Sequence, residues 1–311
     1  MGKNGIRRRT WRELLRLHHP LQLPAAHDAL AARLIEQAGF PAYQIGGFAV
    51  DGARFGLPDI DLTRFAEKFA AVREIMAISD LPVLVDADDG YGDAKNVSHT
   101  IHLYESIGAS ALFIEDQQPP KRCGHMAGKK VVAAEYMENK IRAAVEARKN
   151  RENLFLIART DAIAPHGLKD ALYRAERYLK AGADALYFDG VRNMKELKKV
   201  GSQFRGTPLV TTILEGGGET PWVPPKELYE IGFSMILYPT TILFRLTKAI
   251  QRALADLKAG RQMPEKDSVS MREFETIVDL PFWAVIETKF QGGGKEEGGS
   301  PVRKLIDSIA G

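Results

Sequence analysis

The sequence is poor in sulfhydryls, since Cys123 is the only cysteine among 311 residues. A single cysteine cannot form an internal disulfide, and no early segment has the apolar run of a signal peptide. We therefore expect a cytoplasmic protein in a reducing compartment. A chain of this length that is 45% apolar and 27% charged can bury most of its unfolded surface, so it needs no disulfide or metal to fold.

Two further absences narrow the class of partner. No segment approaches the roughly eighteen apolar residues that a membrane helix requires, so we predict no membrane partner. The formal net charge is only +3, and the one tight basic cluster is Arg7, Arg8 and Arg9. Such a short cluster is more typical of a solvated terminal segment than of a nucleic-acid-binding arm, so no nucleic-acid partner is predicted. An organelle-targeting segment is the alternative interpretation of this stretch.

The sequence does contain a recurring unit, in which an amphipathic stretch ends at a glycine and an apolar strand follows. The four copies are IEQAGFPAYQIGG, YESIGASALFIED, LKAGADALYFDG and LYEIGFSMILYP. Glycine suits the left-handed residue that ends many helices. With further strands in HPLQLPAAHD, LPVLVDADDG, LFLIARTDA and TPLVTTILE, eight strands alternate with helices. This pattern predicts an α/β fold, a (β/α)8 TIM barrel. A doubly wound open sheet is the competing fold, but no GxGxxG follows the first strand.

Polar residues gather where the predicted strands end: Asp86, Asp88, Glu115, Asp116, Arg159, Asp161, Asp189 and Glu215. Barrel active sites form at this edge. Alternation along a strand places Asp86 and Asp88 on one side, and an all-oxygen pair of carboxylates suits Mg²⁺ or Mn²⁺ better than zinc. Glu115 and Asp116 are expected to supply an outer shell through water. The alternatives are that these acids cap helices or pair with Arg159, or that Asp89 is the partner of Asp86.

Arg159 and Cys123 are the other candidate functional residues. A guanidinium at a strand end can hold a substrate carboxylate in a bidentate fork, although a salt bridge to Asp86 or Glu115 is an equally ordinary use. Isolated cysteines are usually small buried hydrophobes, but charged residues flank Cys123 in PPKRCGHMAGKK. We expect an acid–base role for this thiol on a mobile loop. A nucleophilic role is the alternative, although no third residue that would orient His125 is evident.

Four motifs in register, VDADDGYG, IEDQ, KRCGH and ARTDA, resemble the isocitrate lyase and phosphoenolpyruvate mutase superfamily. The similarity runs from about Arg9 to Phe290 and includes GLPDIDLT and TPWVPPKEL. It implies a (β/α)8 barrel whose terminal helix is exchanged between subunits, a homo-oligomer built as a dimer of dimers, and Mg²⁺ in the site. The cysteine favours the lyase branch of the superfamily, because the mutases lack it.

The resemblance also implies roles for individual residues. Asp86 and Asp88 resemble the carboxylates that hold the metal, with Glu115 and Asp59 as partners that act through water. Cys123 resembles the general acid of the lyases. Its neighbours on the gating loop are Lys121, Gly124 and His125.

A second group of positions matches the substrate-binding residues of the family. Gly46 and Gly47 correspond to backbone donors that hold a 2-oxo acid carboxylate alongside Arg159. Tyr43 corresponds to a tyrosine that assists proton transfer. Asp189 and Thr212 stand at positions that contact the substrate.

Three positions depart from the pattern of the lyases: Ile45 replaces a serine, Asp189 a glutamate, and Thr212 an asparagine. A buried acceptor that loses its donor costs about 1 to 3 kcal/mol, which is enough to change substrate preference. We therefore expect a smaller or more apolar 2-hydroxy diacid than methylisocitrate.

The predicted function is a Mg²⁺-dependent lyase that cleaves a 2-hydroxy di- or tricarboxylate, of the methylisocitrate or dimethylmalate type, to a 2-oxo acid and a second carboxylate. Cys123 would protonate the departing carbanion on carbon. Alternatives on the same scaffold are an oxaloacetate decarboxylase or hydrolase and a carboxyvinyl-carboxyphosphonate phosphonomutase. A non-catalytic binder of small acids is the alternative from another class.

The predicted domain organisation has three parts. Residues 1–262 form the catalytic barrel, residues 263–290 a helical extension that exchanges between subunits, and residues 291–311 a glycine-rich flexible tail.

Overall fold

A computed structural model describes residues 8–124, 126–215, 217, 220–262 and 264–291. The chain divides into two compact units, Met1–Thr247 and Lys248–Gly311. His125 and the tail beyond residue 291 lie outside the described residues. Within the described part of the chain, no helix combines the length and apolarity needed to cross a bilayer.

The first unit contains a sheet of eight strands, each parallel to its neighbours. The strands are Leu21–Pro24 (β1), Tyr43–Ile45 (β2), Val83–Asp86 (β3), Ala111–Glu115 (β4), Phe155–Thr160 (β5), Ala185–Phe188 (β6), Leu209–Thr212 (β7) and Phe233–Tyr238 (β8). They follow chain order around the sheet, β8 pairs with β1, and one parallel bridge between Ala25 and Gln44 joins the β1 and β2 ends. The predicted (β/α)8 barrel is confirmed.

Helices follow the strands along the chain. Their bounds are Trp11–Leu17 (α1), Ala29–Gln37 (α2), Gly47–Val50 (α3), Phe65–Met76 (α4), Ala94–Ser106 (α5), Ala134–Ala147 (α6), Ile163–His166 (α7), Leu168–Lys180 (α8), Met194–Gln203 (α9), Pro225–Glu230 (α10), Thr241–Lys258 (α11), Met271–Ile277 (α12) and Leu280–Gln291 (α13). A π-helical turn, Asp51–Phe55, continues α3. The apolar segment predicted after α11 forms two helices, and between them Asp279 has a left-handed φ of 66°.

The four glycines of the recurring unit end helices as predicted. Gly39, Gly108, Gly182 and Gly232 have φ angles of 79°, 86°, 107° and 117°. Only glycine adopts such angles without a steric cost, so each chain reversal from helix to strand is encoded locally.

Along most strands, side chains alternate between two separate apolar clusters. One cluster fills the barrel and includes Leu23, Leu84, Phe113 and Tyr187. The other lies between the strands and the helices and includes the intervening residues, such as Val85 and Ile114. This period of two decides which rim residues face the pocket.

Helix α1 adds a layer beneath the barrel interior that the strand pattern did not predict. Trp11 and Leu14 are about 1% exposed and belong to the cluster that fills the barrel. The Trp11 indole donates to the Met235 sulfur at 3.4 Å, and Arg12 pairs with Asp184 at 2.7 Å.

Gly201 on α9 lies directly against the turn that precedes β8. A Cβ at this position would overlap the carbonyl oxygen of Ile231. We expect Gly201→Ala to lower the free energy of unfolding by about 1 to 3 kcal/mol, because backbone cannot move aside as a side chain can. Urea unfolding followed by circular dichroism measures the change.

The neighbouring exposed Ser202 provides the control, and Ser202→Ala should stay within about 0.5 kcal/mol. Equal stabilities for the two variants would contradict the close approach of α9 to this turn.

Candidate active site

A pocket opens at the carboxyl ends of the strands. It is lined by Gln44, Gly46, Gly47, Phe48, Asp59, Asp86, Phe113, Glu115, Lys121, Arg122, Cys123, Gly124, Arg159, Tyr187, Asp189, Thr212, Leu214, Leu237, Pro239 and Thr240. Most of the site residues expected from the sequence therefore converge here. Asp88 lies just behind this lining, where it pairs with the Lys121 ammonium.

Asp86 and Asp88 leave β3 through a tight turn. The Asp86 carboxylate accepts hydrogen bonds from the backbone N–H of Gly47 and of Asp88, both at 3.0 Å. Asp88 has a left-handed φ of 49°, a strained conformation that aspartate tolerates better than most residues. Asp89, the alternative partner of Asp86, instead pairs with Lys140 at 3.3 Å.

Burial and neighbouring charges shift the pKa values of these acids in different directions. Burial raises the pKa of Asp86, and the nearby charge of Asp88 adds to the rise. Burial also raises the pKa of Glu115 well above its ordinary value, and the attraction of Arg159 does not offset this. For Asp88 the effect of burial is outweighed by Lys121 and Lys68, so the pKa of Asp88 lies below its ordinary value.

The segment between Asp116 and Val132 forms a closed loop over the pocket. Hydrogen bonds of 2.8 and 2.9 Å join Gln118 N–H to the Lys130 carbonyl and Val132 N–H to the Asp116 carbonyl, so the two ends of the loop lie together. Cys123 lies on this loop, half-buried and against the pocket.

Two lysines fasten the loop to the barrel. Lys121 is 5% exposed and donates to Asp59 at 2.6 Å, and the Cys123 N–H donates to the Asp59 carbonyl at 2.9 Å. Lys129 donates to Asp189 at 2.9 Å and Asp161 at 3.2 Å. Buried ion pairs of this kind depend on both partners, because removal of one leaves an unpaired charge.

Arg159 is held from several sides at the centre of the pocket. Its guanidinium donates to both carboxylate oxygens of Asp161, at 2.8 and 2.9 Å, and lies 3.2 Å from Glu115. The guanidinium carbon is 5.0 Å from the ring centre of Tyr187, which is a cation–π distance. The salt bridge expected with Glu115 is present, and the guanidinium still borders the pocket.

The two remaining positions expected to contact substrate are linked through Tyr187. The Tyr187 hydroxyl donates to Asp189 at 3.3 Å and shares a hydrogen bond with the Thr212 hydroxyl. Both Asp189 and Thr212 are buried and line the pocket.

The structure corrects the expectation for Tyr43. Strand alternation turns its side chain into the layer between strands and helices, where Ile35 and Ile75 also lie, and its buried hydroxyl has no hydrogen-bond partner among the described residues. Ile45 faces the same layer, so it does not remove a side-chain donor from the pocket. The inward residue of β2 is Gln44.

Two more rim residues do not reach the pocket. Asp116 lies in the outer layer, where it accepts from Thr160 and Tyr178 at 2.8 Å, so it cannot supply an outer metal shell. Glu215 lies at the surface and pairs with Arg245 at 3.3 Å. Gly47 borders the pocket as expected, although its N–H is used by Asp86.

Sequence reasoning missed Lys68, Lys129 and Gln44. Lys68 lies in an amphipathic helix, where a lysine ordinarily faces solvent, and only the fold brings it to Asp88 at 3.9 Å. Lys129 carried a usable signal, because it belongs to the same basic loop as Cys123.

The donor set fits a divalent cation of the magnesium type. A Cβ on Gly47 would lie 3.2 Å from Asp88 Oδ1 and 3.4 Å from Asp86 Oδ2, so oxygens of both carboxylates lie around one small volume, beside the Lys68 ammonium. Glu115 Oε1 is buried without a hydrogen-bond partner in the described structure. No three acidic, histidine or cysteine side chains among the described residues cluster closely enough to hold a metal alone. Magnesium commonly takes one or two carboxylates and completes its shell with water and substrate.

Comparison with known proteins identifies the family. Residues 12–258 match the family described as phosphoenolpyruvate phosphomutase. The chain belongs to this family. It is therefore a member of the phosphoenolpyruvate mutase and isocitrate lyase superfamily, as the sequence motifs indicated.

Two relatives are similar to most of this chain. The petal death protein of Dianthus caryophyllus is 38% identical, over 92% of this chain and 90% of its own length. The 2,3-dimethylmalate lyase of Eubacterium barkeri is 36% identical, over 77% of this chain and 82% of its own length.

Solved structures of the superfamily have the same fold. A crystal structure of 2,3-dimethylmalate lyase matches with a TM-score of 0.84 and 29% identity, over 92% of this chain and 97% of that one. Oxaloacetate acetylhydrolase, bound to 3,3-difluorooxalacetate, matches with a TM-score of 0.83 and 27% identity over the same shares. Phosphonopyruvate hydrolase in complex with oxalate and Mg²⁺ matches with a TM-score of 0.80 and 26% identity, over 90% of this chain and 97% of that one.

Gly124 is a point of close approach between the loop and the barrel in this phosphomutase-family protein. A Cβ there would overlap Asp189 Oδ2 and a guanidinium nitrogen of Arg159. We expect Gly124→Ala to hold the loop open, so that trypsin cleaves after the exposed Arg122 and Lys130 about tenfold faster than in the natural protein, because cleavage follows the population in which the backbone is open. Gel electrophoresis of timed digests measures the rate.

Ala127 lies exposed on the same loop, so Ala127→Ser is the matched control and should digest at the natural rate. Equal digestion rates for both variants would show that the closed loop does not need a glycine at 124.

Proposed function

We propose that this protein is a Mg²⁺-dependent lyase that breaks a carbon–carbon bond of a 2-hydroxy di- or tricarboxylate. The products are a 2-oxo acid and a second carboxylate. The observation that carries the proposal is the position of Cys123: a half-buried thiol lines the same pocket as Arg159 and the carboxylates of Asp86 and Glu115. Relatives named as lyases support the reaction class.

Asp86 and Asp88 would hold the metal, with Asp59 and Glu115 at its outer shell. When bound, a divalent cation lowers the pKa of the substrate hydroxyl and stabilises negative charge on its oxygen. The raised pKa of Asp86 and Glu115 supports this assignment, because such acids ionise more readily beside a cation. The solved relative that contains oxalate and Mg²⁺ supports it as well.

Arg159 orients the substrate by binding a carboxylate. Asp161 holds two nitrogens of its guanidinium, so the group keeps its orientation while another of its edges faces the pocket. Lys121 is the second cation of the pocket, and it moves with the loop because it lies between Asp116 and Val132. Closure therefore brings positive charge and the thiol to the substrate together.

Cys123 completes the cleavage by proton transfer. The substrate hydroxyl passes its proton to a pocket carboxylate, for which we propose Glu115, whose buried Oε1 has no hydrogen-bond partner among the described residues. The hydroxyl oxygen forms the new carbonyl, and the electron pair of the broken bond remains on the carbon next to the second carboxylate. The thiol gives its proton to that carbon, and solvent restores the proton to the sulfur when the loop opens. Until then, the closed loop keeps water from reacting with the intermediate.

The pocket favours a compact substrate. Its enclosed volume is about 50 Å³, and its lining includes the apolar side chains of Phe113, Leu214 and Leu237. An apolar wall beside fixed cations suits a methyl-substituted diacid of the dimethylmalate type. Hydrolysis or decarboxylation of oxaloacetate is the second candidate, and the structural similarity to oxaloacetate acetylhydrolase favours it.

We also propose that the C-terminal helices exchange between subunits of a dimer of dimers. The second unit carries large apolar side chains that are exposed in the single chain, and a partner subunit would cover them. These side chains include Leu254, Leu257, Phe282, Trp283 and Phe290.

Substitution of the thiol tests the function. The protein, with Mg²⁺, is offered 2,3-dimethylmalate, methylisocitrate and oxaloacetate, and released pyruvate or oxalate is measured. We expect pyruvate from a 2-hydroxy acid, and a fall in kcat of about 10² to 10⁴-fold in Cys123→Ser, because a hydroxyl is a far weaker acid than a thiol.

Mn²⁺ binding to Cys123→Ser should equal that of the natural protein, since sulfur is not among the expected ligands. Turnover of oxaloacetate that survives the substitution would replace the lyase by the second candidate. No turnover of any of these acids, with intact Mn²⁺ binding, would leave a binder of small acids.

A further inference from the structure

Lys68 is a buried cation next to the acidic pair, and the proposed reaction does not use it. It lies on α4, a scaffold helix, and is 4% exposed. Its ammonium donates to Asp51 Oδ2 at 2.9 Å and lies 3.9 Å from Asp88 Oδ2. Lysine is rarely buried to this degree unless it is paired, so its partners determine its position.

Asp51 anchors this lysine from the side away from the pocket. The Thr63 hydroxyl donates to Asp51 Oδ1 at 2.7 Å, which leaves Oδ2 for Lys68. Asp51 begins the π-helical turn, and Lys68 and Thr63 belong to the segment that follows it. The ammonium is therefore held by the scaffold, whereas Lys121 arrives with the loop.

The Lys68 ammonium shares the space of the proposed metal site. A Cβ on Gly47 would meet Lys68 Nζ at 2.9 Å, Asp88 Oδ1 at 3.2 Å and Asp86 Oδ2 at 3.4 Å. The lysine and both carboxylates thus surround one small volume. A divalent ion bound to these carboxylates must lie close to a fixed positive charge, and like charges in a buried site repel strongly.

We propose that Lys68 is a built-in countercharge that weakens divalent-cation binding to the free protein and so couples metal binding to binding of an anionic substrate. This inference rests on the proposed function, because it needs the metal site at Asp86 and Asp88. Lys68 is a positioning residue, since it acts on the carboxylates and does not line the pocket. An anionic substrate adds negative charge to the site, so each ligand strengthens binding of the other.

Variants at Asp51 and Lys68 are expected to change metal affinity in opposite directions. It holds the ammonium a full 1 Å closer to itself than to Asp88, as the distances of 2.9 and 3.9 Å show. Asp51→Asn should release Lys68 towards Asp88 and weaken metal binding. Addition of Lys68→Met to that variant removes the countercharge and should strengthen binding.

Mn²⁺ titration followed by electron paramagnetic resonance measures these affinities without any turnover. We expect Asp51→Asn/Lys68→Met to bind Mn²⁺ at least about tenfold tighter than Asp51→Asn. A tenfold change in affinity corresponds to ~1.4 kcal/mol, which is the size expected for removal of one charge from a close pair of like charges. A gain below about fivefold, no gain, or weaker binding would overturn the proposal. Arg54→Met, which removes a charge from the exposed pair with Glu74, is the control and should leave the affinity unchanged.

Lys68→Gln provides a second comparison that does not depend on correct folding of Asp51→Asn. Lys68→Gln keeps an amide donor for Asp51 and should bind Mn²⁺ at least about fivefold tighter than the natural protein. Oxalate should tighten Mn²⁺ binding more in the natural protein than in Lys68→Gln, because it supplies the charge that the lysine opposes. Equal affinities of the two proteins, or equal tightening by oxalate, would refute the coupling.

Asp86→Asn separates this inference from the proposed function. If Asp86→Asn abolishes Mn²⁺ binding while the Lys68 variants bind as the natural protein does, the metal site stands and the countercharge proposal is wrong. If neither the natural protein nor any Lys68 variant binds Mn²⁺, both are wrong.

Discussion

Charge balance among buried carboxylates is the constraint on which the mouth of this barrel depends. Parallel strands deliver Asp86, Glu115 and Asp189 to one rim, and the neighbouring turns add Asp59 and Asp88. Each carboxylate loses hydration there, so each needs a cation or a hydrogen bond at short range. The cations come from different parts of the fold. Arg159 is on β5, and three lysines reach the rim from outside the barrel.

These cations differ in how they are held, and that difference organises the site. Lys68 and Arg159 belong to the scaffold, whereas Lys121 and Lys129 belong to the loop that carries Cys123. The loop therefore places two positive charges as well as the thiol at the rim. Asp88 and Asp189 also have cations outside the loop nearby, Lys68 at 3.9 Å and Arg159 at 3.5 Å.

The packing of the barrel fixes the strand ends that carry these charged groups. One apolar cluster fills the interior and is closed below by Trp11 and Leu14, and a second cluster joins the strands to the helices. Because both faces of each strand are packed, the strand ends cannot shift independently. The loops at the carboxyl ends lie outside this packing, and barrel active sites form there.

The sequence by itself determined the fold and the strand ends at which the site residues lie. Periodicity and the four helix-ending glycines predicted eight strand–helix units, and these are local features that each short segment encodes alone. Strand ends likewise marked Asp86, Glu115, Arg159 and Asp189. Only the tertiary structure decided which neighbours face inward, because one residue of register separates the pocket from the outer layer. Tyr43, Ile45 and Asp116 lie on the outer side for that reason. The pairing of Lys68 with Asp51 and Asp88 was equally beyond the sequence, since it depends on how a helix packs against strands distant in the chain.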